Sequence, residues 1–135
     1  WNCLFFGTIA VLLSVFYMKV KFRLFLQKRE NRYLSETDLL TGAKNRNCYE
    51  GIRDKYLELC KSNLSCVFVD ANGLHELNNS KGHGEGDLML KTVAGSLIKQ
   101  FGQENTFRFG GDEFVVFSMD ATAETMKAKV STIIK

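Results

Sequence analysis

With 135 residues the chain has room for about one domain, and a hydrophobic share of 45% with an aromatic share of 12% suits a globular core. The formal net charge of +3 is unevenly distributed: residues 1–18 carry no charged side chain, residues 19–32 carry six basic against one acidic, and residues 33–135 carry twelve basic against fourteen acidic. The larger part of the chain is therefore mildly acidic. This argues against a nucleic-acid-binding surface, because such surfaces are usually basic.

Residues 1–18 are mostly apolar and come close to the roughly 20 residues that a bilayer span requires. The basic cluster after them predicts, by the positive-inside tendency, that everything C-terminal to it lies in the cytoplasm. A cleaved signal peptide fits less well, because no small-residue cleavage site follows and the positive charge lies on the wrong side. A buried core helix is the other alternative. We therefore expect the end of a transmembrane helix in the cell inner membrane, in a fragment whose upstream part is missing.

Residues 19–35 are predicted to form a basic juxtamembrane linker helix. The chain contains no proline, so a helix that leaves residues 1–18 can continue unbroken. Apolar residues recur among the basic ones as far as Tyr33 and Leu34, a pattern that would allow pairing with the same helix of a second copy. A solvated connector is the alternative, because the segment has too few turns to establish a heptad repeat.

Residues 36–135 alternate between helix and strand patterns and are expected to form one domain, truncated at its C-terminal end. The run Cys66–Asp70 is apolar until its final carboxylate, which indicates a buried central strand. The pattern as a whole predicts an α+β or α/β sandwich. In chain order we predict a helix over about 46–61, a strand over 66–70, a short helix over 74–79, an amphipathic helix over about 87–101, a hairpin around 110–113 and a helix from 122.

The heptad Arg108–Phe114 reads RFGGDEF and has alternating apolar residues on both sides. This pattern predicts a tight turn between two strands, in which glycines supply φ > 0 and let a large ligand approach closely. Asp112 and Glu113 then lie at the tip, where carboxylate oxygens suit Mg²⁺ bound against a phosphate. An ordinary hairpin turn with solvated carboxylates is the alternative.

A third carboxylate, Asp70, lies at the end of the predicted buried strand. If the hairpin is the neighbour of that strand, Asp70, Asp112 and Glu113 converge at one edge of the sheet. A two-metal phosphoryl-transfer site requires such an arrangement. The pattern alone does not establish the adjacency.

Three motifs in this order resemble the GGDEF family of diguanylate cyclases over about residues 36–135. Residues 38–46 (DLLTGAKNR) are similar to its DxLTGLxNR motif, residues 70–87 to its second motif, and residues 108–114 to the motif that names it. The resemblance implies an α+β, ferredoxin-like palm with a central, mostly antiparallel sheet flanked by helices. It also implies an enzyme that condenses two GTP molecules into cyclic di-GMP and pyrophosphate across a homodimer of such domains.

Carried over position by position, the resemblance implies a Mg²⁺ site. Asp70, the backbone carbonyl of Ala71 and Asp112 would hold the metal, and Glu113 would assist. Asp112 is also the position usually proposed to accept the proton of the attacking 3′-hydroxyl. In this comparison Gly110 leaves room for the nucleotide, as does Gly111.

Two further positions match those that read the guanine base, namely Asn78 and Asp87. A carboxylate accepts from guanine N1–H and the exocyclic amine, and an amide can donate and accept along the same edge. The structural alternative for Asn78 is a helix C-cap, whereas for Asp87 we expect a helix N-cap in addition to the guanine contact, because capping would fix its position. Asp38 and Arg46 are expected to form a structural pair or cap rather than to act in catalysis.

Two departures from the family pattern bear on activity. His75 stands where the second motif usually has a lysine that meets the triphosphate, and a neutral imidazole is a weaker partner for phosphate. The inhibitory RxxD product site would fall at residues 101–104, which read FGQE and do not match. The alternative to the enzyme is therefore a catalytically impaired GGDEF module that binds GTP or a protein partner and relays a signal.

Overall fold

The computed structural model describes residues 2–59, 64–119 and 122–133. The chain divides into two units, Trp1–Leu34 and Ser35–Lys135, and each is described by itself. Helix α1 runs over Asn2–Glu36, and the large apolar side chains along it, such as Leu12, Phe16 and Phe22, are exposed.

The predicted membrane span is wrong. In the described part of the chain, no helix is both long enough and apolar enough to cross a membrane. A span needs about 20 predominantly apolar residues. Along α1 the polar Thr8 and Ser14 interrupt the apolar residues, and basic residues begin at Lys19. The predicted membrane anchor and inner-membrane location are withdrawn with the span.

Four strands form one mixed sheet in the order β1-β3-β4-β2. The parallel pair is β1 with β3, and β4 is antiparallel to both β3 and β2. The strands are β1 (Lys44–Asn45), β2 (Leu64–Asp70), β3 (Thr106–Arg108) and β4 (Glu113–Met119). The other helices are α2 (Arg46–Leu59), α3 (Leu74–Lys81), α4 (His83–Phe101) and α5 (Ala123–Ser131), with a short 3₁₀ turn at Gln103–Asn105.

Strand β4 is buried on both faces. Phe114 and Val116 pack with α4 and α5 on one side of the sheet, while Val115 and Phe117 pack toward α2 on the other. A strand covered on both faces does not need to alternate polar and apolar residues. This explains the uninterrupted apolar run that leads out of the predicted hairpin.

Strand β2 was predicted to be central, and this is wrong for the described sheet, where it lies at the edge. Its burial alternates, and Cys66, Phe68 and Asp70 are exposed while the residues between them are partly buried. Within residues 2–59, 64–119 and 122–133, β2 pairs with β4 alone. The apolar composition of Cys66–Asp70 alone could not reveal this.

The boundary between α3 and α4 also differs from the prediction. Gly82, with φ 90°, separates the two helices, and its N–H donates to the carbonyl of Asn78. Helix α4 begins at His83, so Asp87 lies inside the helix and is not its N-cap. Asn78 is not the C-cap of α3, since Gly82 occupies that position. Glycine takes this positive φ without steric cost, so one residue separates the two helices, whereas the predicted helices over 74–79 and about 87–101 were further apart.

Candidate functional site

The hairpin between β3 and β4 is present as predicted, but its two glycines do not supply the predicted positive φ. The N–H of Phe109 donates to the carbonyl of Glu113 over 2.8 Å and closes the turn. Neither Gly110 nor Gly111 has a φ in the left-handed region. A Cβ added at Gly110 would lie 2.5 Å from Glu113 Oε2, whereas a Cβ at Gly111 would meet open space. A side chain at Gly110 would therefore have to displace the end of the Glu113 carboxylate, which folds back over this glycine.

The three predicted carboxylates lie at one end of the sheet. Asp70, the last residue of β2, is the register partner of Glu113, the first residue of β4. Directly opposite residues of an antiparallel pair have neighbouring side chains on one face. The N–H of Ala71 donates to the carbonyl of Asp112 over 3.0 Å, which ties the end of β2 to the turn. Strand β2 and the hairpin are therefore neighbours, which the sequence alone did not establish.

These residues do not form a ready-made metal cage. Within residues 2–59, 64–119 and 122–133, no three or more His, Cys, Asp or Glu side chains are grouped so that they could hold a metal ion. Any metal at this end of the sheet needs donors besides these side chains, such as backbone carbonyls or ligand oxygens.

Asn78 contains a buried polar atom with no partner. Its Oδ1 is inaccessible to solvent and makes no hydrogen bond. The amide packs so closely against Gly86 that a Cβ at this glycine would clash with it. Leaving such an acceptor unpaired costs about 1–3 kcal/mol, so unpaired buried groups often mark ligand sites. Asp87 follows Gly86 directly on α4 and is exposed.

His75 is exposed on the first turn of α3. Its Nε2 lies 3.0 Å from Asn79 Nδ2, one helical turn further on. With the imidazole neutral, the amide donates to this nitrogen. His75 is thus engaged within its own helix in the absence of a ligand.

Asp38 pairs with Arg108, a contact across 70 positions of sequence that the motif pattern did not predict. Arg108 Nη1 donates to Asp38 Oδ1 over 3.1 Å, and Arg108 Nη2 donates to the Gly111 carbonyl over 2.7 Å. The expected Asp38–Arg46 pair is wrong, since Arg46 pairs with Glu50. Asp38 stabilises the turn that follows it, because its Oδ1 accepts from the N–H and the hydroxyl of Thr41.

These contacts set the protonation of Asp38. Burial acts to raise the pKa of its carboxyl, but hydrogen bonds from the Thr41 hydroxyl and N–H, together with the Arg108 guanidinium, outweigh burial and hold the pKa below its usual value. The ion pair with Arg108 is therefore present at neutral pH.

The family model for "Diguanylate cyclase, GGDEF domain" matches residues 35–135. The chain belongs to the GGDEF family. Among relatives, the probable diguanylate cyclase DgcJ of Escherichia coli (strain K12) is 31% identical over 130 residues, which are 92% of this chain and 25% of DgcJ. The cyclic di-GMP phosphodiesterase PdeR of the same strain is 29% identical over 105 residues, which are 76% of this chain and 16% of PdeR. The chain thus spans a quarter or less of the length of these relatives.

The fold agrees with the GGDEF assignment. The crystal structure of the coiled coil and GGDEF domain of DgcB from Caulobacter crescentus, in complex with c-di-GMP, superposes with a TM-score of 0.78 at 21% identity. The match covers 93% of this chain and 67% of that chain. The GGDEF domain described here is α+β, with helices flanking a mixed four-stranded sheet.

Two cavities of the GGDEF domain differ in whether a carboxylate of the candidate site lines them. One of about 600 Å³ is lined by Asp70, Ala71 and Asn72 together with apolar residues of β2, α4 and α5. The other, of about 650 Å³, lies between α2 and the 3₁₀ turn and contains none of the carboxylates named above. We place the candidate site at the end of the sheet where β2 meets the turn, because Asp70 lines the first cavity and Glu113 is its register partner there.

Proposed function

We propose that this chain is the catalytic part of a diguanylate cyclase, which condenses two GTP molecules into one cyclic di-GMP and two pyrophosphates. The observation that carries the proposal is the pairing of Asp70 with Glu113, at a point where the Asp112 carbonyl is bonded to Ala71. Two carboxylates at the meeting point of two antiparallel strands form a compact acidic patch. Such a patch suits a cation that accompanies a triphosphate.

The donor set fits Mg²⁺. This ion is usually held by one or two carboxylates and completes its coordination with waters and substrate phosphates, so the lack of a three-residue cluster is compatible with it. Asp70, Asp112 and the Ala71 carbonyl would hold the ion, assisted by Glu113. When bound, it neutralises charge on the triphosphate during displacement. Diguanylate cyclases of this family are generally metal-dependent.

Asn78 and Asp87 are proposed to select guanine. The unpartnered Asn78 Oδ1 offers a buried acceptor to a base donor, and Asp87 follows the glycine against which Asn78 packs. A carboxylate can accept from both N1–H and the exocyclic amine of guanine, a donor pair that adenine does not present. We therefore expect GTP to be preferred to ATP.

Bond formation requires two domains. In the proposed reaction the 3′-oxygen of one GTP attacks the α-phosphorus of the other, and pyrophosphate leaves with its electron pair. Asp112 accepts the 3′-hydroxyl proton. Facing domains in a homodimer would hold each 3′-hydroxyl near the opposite phosphate, and such orientation can contribute about 7–11 kcal/mol to lowering a barrier.

The test is product formation by the full-length protein that contains this chain, supplied with GTP and Mg²⁺. Cyclic di-GMP and pyrophosphate are quantified by chromatography, and ATP serves as the control substrate. The proposal expects product from GTP and none from ATP. GTP binding without product, at concentrations where the protein is dimeric, would contradict it.

A second candidate is a GGDEF module that binds GTP and relays a signal without catalysis. Two observations favour it: His75 occupies the position of the phosphate-binding lysine and is bonded to Asn79, and PdeR is named a phosphodiesterase. The same experiment separates the candidates, since this module would bind GTP and release no pyrophosphate.

The role of His75 leads to a specific prediction. His75→Lys should raise kcat/KM for GTP about three- to tenfold, because a permanent ammonium pairs with the triphosphate better than an imidazole engaged by Asn79. The measurement is steady-state kinetics at neutral pH. Glu76→Gln, which makes the next exposed position of α3 more positive by the same one unit, is the control for a non-specific charge effect. An equal gain in both variants would refute a specific role for His75.

Gly110 gives a second prediction. Gly110→Ala should lower kcat about tenfold while changing the melting temperature by less than about 2 °C, because the new methyl group displaces only the end of the flexible Glu113 side chain. On a Glu113→Ala background the same substitution should have little further effect, since coupled residues are non-additive. Equal, additive losses in the two backgrounds would show that Gly110 acts independently of Glu113.

A further inference from the structure

Arg108 bridges two parts of the domain through its guanidinium. One terminal nitrogen donates to Asp38 and the other donates to the carbonyl of Gly111, the residue directly before Asp112. The side chains of Arg108 and Asp38 are 15% and 24% exposed, so water competes with this pair less than at an open surface. The bridge ends one peptide unit from a proposed catalytic carboxylate.

The turn around Gly111 has few other restraints. Its backbone is closed by the N–H groups of Phe109 and Gly110, which both donate to the Glu113 carbonyl. The remaining backbone bond of the turn joins Ala71 to Asp112. The carbonyl of the peptide between Gly111 and Asp112 accepts a hydrogen bond from Arg108. Among the hydrogen bonds of the described residues, this one links that peptide to strand β3. Removing it should free this peptide to rotate.

The other end of the bridge is rigid. Asp38 accepts from Thr41 through its side chain, and its own N–H donates to the Ala43 carbonyl over 2.8 Å. The preceding end of α1 is anchored to β1, because Asn45 Nδ2 donates to the Ser35 carbonyl over 2.9 Å. Asp38 is therefore a fixed point on which the Arg108 side chain can be oriented.

We propose that Arg108, oriented by Asp38, is a positioning residue that holds the Gly111–Asp112 peptide in its reactive placement and couples the end of α1 to the turn. The expected change in kcat rests on the proposed cyclase function, whereas the structural role of the bridge does not. Lysine cannot replace the bridge, because a single ammonium does not offer two donors in the fixed fork of a guanidinium.

Kinetics test the positioning role in the full-length protein. Arg108→Lys and Asp38→Asn should each lower kcat for cyclic di-GMP about 10- to 100-fold, with KM for GTP changed by less than about threefold. The double variant should be no slower than the slower single variant, because both act through one bridge. Arg53→Lys is the matched control, since Arg53 pairs with Asp54 on the surface of α2 and should keep parent kinetics. Unchanged kcat in Arg108→Lys, or additive losses, would overturn the proposal.

Amide hydrogen exchange tests the same bridge without any activity. In Arg108→Lys the N–H groups of Phe109 and Ala71, which bond to the turn, should exchange about tenfold faster. The buried amide of Leu97 on α4 should exchange at the parent rate. If the parent protein forms no cyclic di-GMP, the proposed function fails, and amide hydrogen exchange alone tests whether Arg108 holds the turn. Parent-like protection at Phe109 and Ala71 would overturn it.

Discussion

Asp112→Asn is expected to lower kcat for cyclic di-GMP formation by about 10³-fold and to leave the fold intact. Asparagine has the same size as aspartate but no charge, so it can neither accept the 3′-hydroxyl proton nor balance a divalent cation. General-base catalysis alone contributes about 10²–10⁴-fold. The Asp112 carbonyl, which bonds to Ala71, is a backbone group and is retained in the variant.

The measurement is the initial rate of cyclic di-GMP formation from GTP and Mg²⁺, with the melting temperature as the folding control. Asp54→Asn is the matched charge control, because Asp54 is an exposed side chain on α2 whose ion pair is with its neighbour Arg53. It should retain at least about half of the parent rate, in keeping with the small effects of surface substitutions. A rate above about a tenth of the parent in Asp112→Asn would remove Asp112 from the catalytic role.

Phe107→Ala is expected to lower the free energy of unfolding by about 3–5 kcal/mol, the range for removing a buried aromatic side chain. Phe107 is fully buried on β3. Its ring makes edge contacts with Tyr49, Tyr56 and Phe117, with centroids 5.9 to 6.1 Å away. Alanine would leave a cavity between the sheet and α2, and the surrounding rings can fill it only in part.

Urea denaturation followed by circular dichroism measures this loss as a lower midpoint at an unchanged m-value. Phe68→Ala is the matched control, because Phe68 on edge strand β2 is 59% exposed and has less contact to lose. We expect it to cost less than about 1 kcal/mol. Equal losses in the two variants would mean that the packing between β3 and α2 does not dominate the stability of this domain.

Local patterns predicted most of the elements. The apolar spacing after Arg46 predicted a helix over about 46–61, and α2 covers Arg46–Leu59, with residues 60 and 61 outside the described residues. The glycine-rich turn between apolar runs predicted the hairpin of β3 and β4. These predictions succeed because helix and hairpin formation depend on neighbours close in sequence.

The predictions that failed concern how an element is placed in the fold and where it ends, which local composition does not determine. The run Cys66–Asp70 looks the same in a central strand and in an edge strand, so its place in the sheet depends on which strands pair with it. An uncharged run such as 1–18 shows hydrophobicity, but spanning requires a length and apolar content that the described helix lacks. Gly82 alone ends α3, so α4 begins earlier than its apolar spacing indicated.

The sequence by itself determined the family and the identities of the acidic residues at the candidate site, because three motifs in order are specific whatever the fold details. Only the tertiary structure decided how these residues are held. Asp70 meets Glu113 through strand register, Glu113 folds over Gly110, and the Asn78 acceptor is left unpartnered. Arg108 reaches Asp38 across 70 positions of sequence. Contacts this distant are made by packing of the whole domain, which no local pattern contains.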